Sequence, residues 1–209
     1  MCTETFLRLP EEKRNRFLDA AWEEFVRVPF AEASINQIVL KARVPRGSFY
    51  QYFESKDDLF SYLQKTVLEY LIAEYCRFMR EADGNIFNTQ IICFDRVATL
   101  GRAADPLFDR CLRVLRLNPG LLPRVAMEGK LMCHMLESVW NIIDASDLRR
   151  QDREFVAHTF GLTLIALAVA VAACLENPEQ AGEQRRALLT QLEIIQKGSL
   201  ATAPAKEAL

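Results

Sequence analysis

The chain has 209 residues, half of them hydrophobic and about a quarter charged, which allows a packed core and argues against a disordered polymer. A formal net charge of -2 excludes a protein that coats nucleic acid through overall basicity, so any contact with DNA has to come from a local patch. Eight glycines and eight prolines are few for this length, and sparse breakers favour helices.

Pro10 to Val28 reads as the first helix. Pro10 suits a first helical turn, and Glu11 and Glu12 favour its positive end. Phe17, Leu18, Ala21, Trp22 and Phe25 recur at three- and four-residue steps and give one apolar face, which Pro29 ends. A short second helix starts at Ser34, where Ser34-Ile35-Asn36-Gln37 has the form of a capping box; Ile35, Ile38 and Val39 make its inner face. Ala42-Arg43-Val44 is a turn. A third short helix runs from Pro45 to Tyr52, with Val44, Phe49 and Phe53 inside and Arg46, Ser48, Tyr50, Gln51 and Tyr52 facing outward or sideways.

Ser55 caps a long fourth helix carrying Leu59, Phe60, Leu63, Val67, Leu71 and Phe78, broken at Asp83-Gly84-Asn85. Further helices are expected at Ile86–Arg102, Pro106–Leu117, Leu121–Ala145, Arg149–Leu175 and Glu179–Lys197, about nine in all, with no alternating strand pattern and no repeat. The stretch Gly161 to Leu175 is almost wholly apolar. At about fifteen residues it falls short of the roughly twenty that span a bilayer. Polar residues flank it, so it is expected to be a buried core helix and no membrane partner is expected. Residues 199–209 are expected to be a disordered tail.

The local basic patch lies between Ala33 and Phe53, which holds Lys41, Arg43 and Arg46 and no Asp or Glu. Three short helices followed by a long one supply what a helix-turn-helix needs: a rigid short helix able to enter the major groove, braced by apolar residues behind it.

Residues Phe17 to Leu63 resemble the DNA-binding domain of TetR-type repressors. The resemblance rests on the leading Leu-x-Ala-Ala, Phe25 and Phe30, Ser34-Ile35 with Ile38, Val44-x-x-Gly47-Ser48-Phe49-Tyr50-x-Tyr52-Phe53, and Ser55-Lys56-x-x-Leu59. It covers the first third of the chain. It implies an all-α fold: a helix-turn-helix domain over residues 1–54 and a helical ligand-binding and dimerisation domain over 55–198. It further implies that Arg46, Ser48, Tyr50 and Gln51 approach bases or phosphates, that Asn36 contacts DNA, and that Tyr52 and Lys56 contact the phosphate backbone. Gly47 would let the backbone come close to DNA. Arg46 is the best candidate for a base contact, because arginine pairs bidentately with guanine.

Two positions depart from the family pattern, which carries Gly where Pro29 and Arg43 stand. That position often needs a left-handed backbone, so either the turn at Arg43 differs slightly or Arg43 adopts the strained conformation and aims its charge at phosphate; an ordinary fold with a modestly altered turn is expected.

For the remainder, the resemblance implies a homodimer through helices 149–175 and 179–197, consistent with a helix apolar around most of its circumference and with Leu188, Leu189, Leu192 and Ile195 as a matching stripe. Such a dimer implies a near-palindromic operator in double-stranded DNA. The resemblance also implies a pocket for a small-molecule inducer, with Tyr75, Phe78, Met79, Phe94, Phe108, Leu112, Met132 and Met135 as candidate lining and Arg96, Glu128, His134 and Glu137 as possible polar anchors. Ligand binding would act through the long fourth helix and release a repressor.

The six cysteines contain no Cys-x-x-Cys and the N-terminus shows no secretory pattern, so a reduced cytoplasm fits best. Adjacent Cys133 and His134 point about 100° apart on a helix, a poor start for a metal site. No Gly-rich phosphate loop or nucleophile elbow occurs, so neither a cofactor nor catalysis is expected.

Overall fold

The computed structural model describes residues 2–99, 106–118 and 129–201. The fold is all-α. Its helices are α1 (Glu4–Leu7), α2 (Glu11–Phe25), α3 (Ile35–Ala42), α4 (Arg46–Tyr52), α5 (Lys56–Glu81), α6 (Ile86–Ala98), α7 (Pro106–Leu117), α8 (Gly129–Val139), α9 (Arg153–Glu176) and α10 (Ala181–Ser199), with short 3-10 turns at Phe30–Glu32 and Pro178–Gln180. Among the described residues there is no strand, only an isolated bridge between Leu148 and Leu200.

Backbone contacts group the chain into two compact units: Met1–Leu71 with Asp105–Asn118, and Ile72–Ala104 with Pro119–Leu209. The sequence pattern suggests a division at 54/55. The grouping differs because the first core needs more cover than three short helices provide. Leu59 and Leu63 of α5 and Val114 of α7 are buried in it, with Phe60, Val67 and Leu107 packed alongside.

The first unit is built on aromatic rings. Phe6 sits 4.8 Å from Phe53 and 5.7 Å from both Tyr52 and Tyr62; Phe17 sits 5.5 Å from Tyr52 and 6.0 Å from Phe53. Such pairs add about 0.5–1.5 kcal/mol each beyond area burial. Helix α1, which brings Phe6, was not expected from the sequence. Four residues carry no periodicity, and only the Thr3 cap, accepting from the Phe6 N–H at 3.3 Å, marks it. On the opposite side Arg110 of α7 pairs with Asp19 of α2 at 3.3 Å. Asn118 Oδ1 accepts the Phe30 N–H at 3.1 Å, and its amide donates to the Val114 carbonyl at 2.8 Å.

In the second unit α9 packs against α6, α8 and α10. Helix α9 spans 24 residues and is long and apolar enough to cross a membrane by length and composition, but two thirds of its most apolar window is buried inside the protein. It is a core helix, as its polar flanks suggested. Arg185 of α10 holds Asp95 of α6 with two bonds, at 2.7 and 2.9 Å. Side chains cap α5, α6 and α9: Ser55 Oγ accepts from Asp58 N at 3.2 Å, Asn85 Oδ1 from Asn88 N at 2.9 Å, and Asp152 Oδ1 from Phe155 N at 3.1 Å. The turn after α5 uses Asp83 and Gly84 at positive φ, 52° and 78°. A Cβ on Gly84 would stand 2.3 Å from the Ile142 carbonyl oxygen, so close approach of two backbones requires glycine there.

Residues 199–201, expected to open a disordered tail, are held in place. Ser199 is buried, its carbonyl accepts from Arg149 N at 2.9 Å, and Ala201 N donates to the Asp147 carbonyl at 3.0 Å. Residues 202–209 lie outside the described residues, as do the ends of the helices expected at 86–102 and 121–145.

Candidate nucleic-acid interface

Helices α3 and α4 are eight and seven residues long, too short to persist alone. Neighbours hold both. On α4, Phe49 and Tyr52 face the aromatic core with Phe53 just beyond, all three nearly inaccessible, and Val44 before the helix is buried too. The C-terminal end of α4 is tied down by Thr3. Its hydroxyl donates to the Gln51 carbonyl at 2.6 Å and its N–H to the Tyr52 carbonyl at 3.0 Å. The other face of α4 leaves Arg46, Gly47, Tyr50 and Gln51 exposed and Ser48 half-buried. Gly47 has open space where a Cβ would stand.

Tyr52 corrects the sequence reading. It was expected to contact the phosphate backbone, yet it is 2% exposed, with its ring against those of Phe6 and Phe17. Tyr50, one turn edge away, is 53% exposed. Two residues along a helix are about 200° apart, so one tyrosine faces water and the other the core.

Lys56 is a second correction. Its ammonium donates to the carbonyls of Phe30 at 2.8 Å, Ala33 at 3.0 Å and Ala31 at 3.1 Å, which uses all three of its donors. It also lies 4.7 Å from the Phe30 ring centre. Lys56 therefore fixes the turn that leads into α3 and is not free to hold phosphate.

The start of α3 is organised differently from a capping box. The Ser34 side chain makes no cap bond. Instead the Ser34 N–H donates to Glu24 Oε1 at 2.9 Å, while Arg27 binds Oε2 of the same carboxylate at 2.7 Å. The Glu24 side chain is wholly buried, so a negative charge sits at the positive end of α3 and is paired. Glu24 stands on the inner side of α2, one residue from Phe25, and that position is the sequence signal that marks it.

Arg43 adopts the left-handed conformation, φ 54° and ψ 46°, at the C-terminus of α3. The turn keeps the glycine-type geometry and the arginine bears the strain, where a modestly altered turn was expected. The Arg16 Nε–H donates to the Ala42 carbonyl beside it at 3.0 Å.

Exposed Asn36 and Arg46 share an open recess of about 250 Å³ with Ala33, Ser34, Ile35 and Lys56. Lys41 is engaged by Glu23 at 2.9 Å. Among the described residues neither Arg43 nor Arg46 enters an ion pair, and both are exposed. The surface formed by α3, the turn and α4 thus carries two unneutralised guanidinium groups and no carboxylate of its own between Ala33 and Phe53.

In the second unit Tyr75, Phe78, Met79 and Phe94 are buried and Met132 and Met135 half-buried. Phe108 and Leu112, also buried, lie on α7, which the backbone contacts group with the first unit and not with these residues. The proposed polar anchors face solvent: Arg96 pairs with Glu81 at 3.2 Å, Glu137 pairs with Arg153, and His134 is exposed. Glu128 lies outside the described residues. The buried polar groups are ones the sequence analysis passed over, Thr89, Gln90, Thr159 and Thr163, with Gln90 Nε2 donating to Tyr75 Oη at 2.8 Å and to Thr163 Oγ1 at 3.0 Å. Among the described residues no three His, Cys, Asp or Glu converge as metal ligands would.

Comparison with known proteins gives the following. Residues 17–63 match the profile of bacterial regulatory proteins, tetR family. The HTH-type transcriptional regulator HbdR of Aromatoleum sp. (strain CIB) is 37% identical over 62 residues, 30% of this chain and 27% of that protein. HTH-type regulator YdgC of Bacillus subtilis (strain 168) is 44% identical over 52 residues, 25% of this chain and 27% of that protein. SrpR of Pseudomonas putida is 46% identical over 46 residues, 22% of each. The alignments thus span about a quarter of the length of these relatives, all of it N-terminal-domain sized. Solved structures of a transcriptional regulator from Rhodococcus sp. Rha1 (TM-score 0.57, 16% identity, 90% of this chain and 98% of that one) and of another from Cytophaga hutchinsonii ATCC 33406 (0.56, 12%, 91% and 100%) share the fold along nearly the whole chain. Over residues 17–63 the chain is thus similar to the DNA-binding domain of the tetR family of bacterial regulatory proteins.

Proposed function

We propose that the protein is a sequence-specific DNA-binding transcriptional regulator, a repressor in the cytoplasm that leaves a near-palindromic operator when a small molecule binds. The observation that carries this reading is the outer face of α4. Arg46, Tyr50 and Gln51 project from a helix fixed from behind by Phe49, Tyr52 and Phe53, with Arg43 and Asn36 exposed nearby in the sequence and no Asp or Glu between Ala33 and Phe53. Phosphate contacts would position the helix, and Arg46 would read a base edge.

The partner copy would dock on α9. Leu162, Ile165 and Val169 are 56%, 40% and 53% exposed, whereas the other residues of 159–175 are buried or half-buried, and their spacing of three and four residues makes one stripe. Ile194 of α10, 66% exposed, is the apolar residue that α10 adds. Of the stripe Leu188, Leu189, Leu192 and Ile195, Leu188 and Leu192 are buried within their own chain and Leu189 and Ile195 are half-buried. Two copies would present two α4 helices about 34–36 Å apart or somewhat more, one turn of DNA.

The test is selection of bound sequences from random double-stranded DNA with the purified protein. Enrichment of an inverted repeat is expected. Recovery of no motif at moderate salt would remove the regulator reading.

A further inference from the structure

Among the described residues, Gln90 Oε1 is the buried side-chain oxygen left without a hydrogen-bond partner. Gln90 is wholly buried on α6. The orientation of its carboxamide is fixed by a neighbour. The Thr163 hydroxyl donates its one proton to the Phe160 carbonyl at 2.9 Å, so toward Gln90, at 3.0 Å, it can only accept. That puts the amide nitrogen on the side of Thr163 and Tyr75 and leaves the oxygen on the other. Turning the carboxamide over would take the Thr163 proton away from the Phe160 carbonyl and would strand the nitrogen, with its two protons, instead. Buried acceptors are rarely left unpaired, because desolvation then goes uncompensated, and an exception calls for a partner.

We propose that Gln90 Oε1 is the acceptor that recognises the regulator's small-molecule ligand, a neutral, mainly apolar compound presenting one hydroxyl or N–H donor; this rests on reading the second unit as ligand-binding. The surroundings set the ligand's class. Tyr75, Met79 and Phe160 are buried beside or bonded within this cluster, with the Tyr75 and Phe160 rings 6.0 Å apart, and they supply apolar surface. Methionine adapts to irregular apolar shapes. Among the described residues a charged ligand finds no buried countercharge: the buried polar residues described in this unit are Thr89, Gln90, Thr159, Thr163 and Ser199, while Arg96 and Glu137 are paired at the surface. Burial raises the Tyr75 pKa well above the usual phenol range, so that hydroxyl is neutral as well. A site built around one acceptor discriminates strongly between a donor and its methylated twin, because the methylated form leaves the acceptor buried and unpaired.

The experiment uses the full chain without DNA and pairs of probes matched in shape: indole with 1-methylindole, phenol with anisole, 2-naphthol with 2-methoxynaphthalene. Thermal melting and equilibrium dialysis are read for each. The donor member of at least one pair should bind about ten-fold or more tightly than its twin. Gln90→Met, or Gln90→Leu should the first not fold, should reduce that preference to about two-fold or less while apolar binding persists. Equal binding within every pair, no binding by any probe, or a preference that survives both variants would overturn the proposal. Operator selection on the same preparation separates the two readings. DNA binding without any donor preference removes the Gln90 assignment alone, whereas a donor preference without DNA binding removes the regulator reading.

Discussion

The ammonium of Lys56, at the first residue of α5, is held 2.8 Å from the carbonyl of Phe30, in the turn before α3. With the carbonyls of Ala31 and Ala33 as its other acceptors, the charge acts as a clasp inside the first unit. Lys56→Met should lower stability by about 1–3 kcal/mol in urea titration, the cost of hydrogen bonds to a charged group. It should also leave the dependence of DNA affinity on salt unchanged. A lysine bound to phosphate would instead reduce the logarithmic slope by about one. A changed slope with unchanged stability would restore the phosphate role.

Glu24 joins α2 to α3 through the Ser34 N–H and holds Arg27. Glu24→Ala should cost about 1–3 kcal/mol, because a buried charge-assisted network is lost and the Ser34 N–H is left without its acceptor. Arg27 is half-exposed and can be rehydrated, which keeps the loss below that of a fully buried pair. Chemical denaturation measures it. No loss would mean that water replaces the carboxylate.

At Arg43 the left-handed backbone is strained for any residue with a Cβ. Arg43→Gly should stabilise the protein by roughly 0.5–1 kcal/mol, relief of strain partly offset by glycine's larger unfolded-state entropy. The same variant should weaken operator binding if the guanidinium meets phosphate. Stability and affinity therefore move in opposite directions, and fluorescence-monitored melting with gel-shift titration reads both. A destabilised variant would show that the Arg43 side chain contributes more than its backbone costs.

Arg46→Ala with Tyr50→Ala should abolish specific DNA binding. Both side chains are exposed and neither belongs to the core, so helicity by circular dichroism and oligomeric state should not change. Unchanged operator affinity would mean that α4 is not the reading helix.

Val169→Glu places a charge in the exposed stripe of α9, where Val169 is 53% accessible. Analytical ultracentrifugation should show a shift from dimer to monomer, with the helical signal retained, because burying an unpaired carboxylate in an apolar interface is costly. An unchanged dimer would place the interface elsewhere.

The sequence by itself determined the short helix α4. Val44, Phe49 and Phe53 alternate with Arg46, Tyr50 and Gln51 at helical spacing, and that local pattern sorts these six residues, though not Tyr52, into buried and exposed. It likewise determined the long capped α5, the bounds of α7 and the core character of α9, since each is a long run whose own composition fixes its state. Tertiary structure decided whatever depends on partners distant along the chain. Tyr52 turns inward because Phe6 and Phe17 are there to receive it. Lys56 is consumed by carbonyls some twenty-five residues earlier. Glu24 becomes a helix cap ten residues from the helix it serves. Gln90 keeps one oxygen unpaired because Thr163, 73 residues on, fixes which way its amide faces. A polar side chain's role depends on which groups satisfy it, and one-dimensional spacing reports only those within a turn or two.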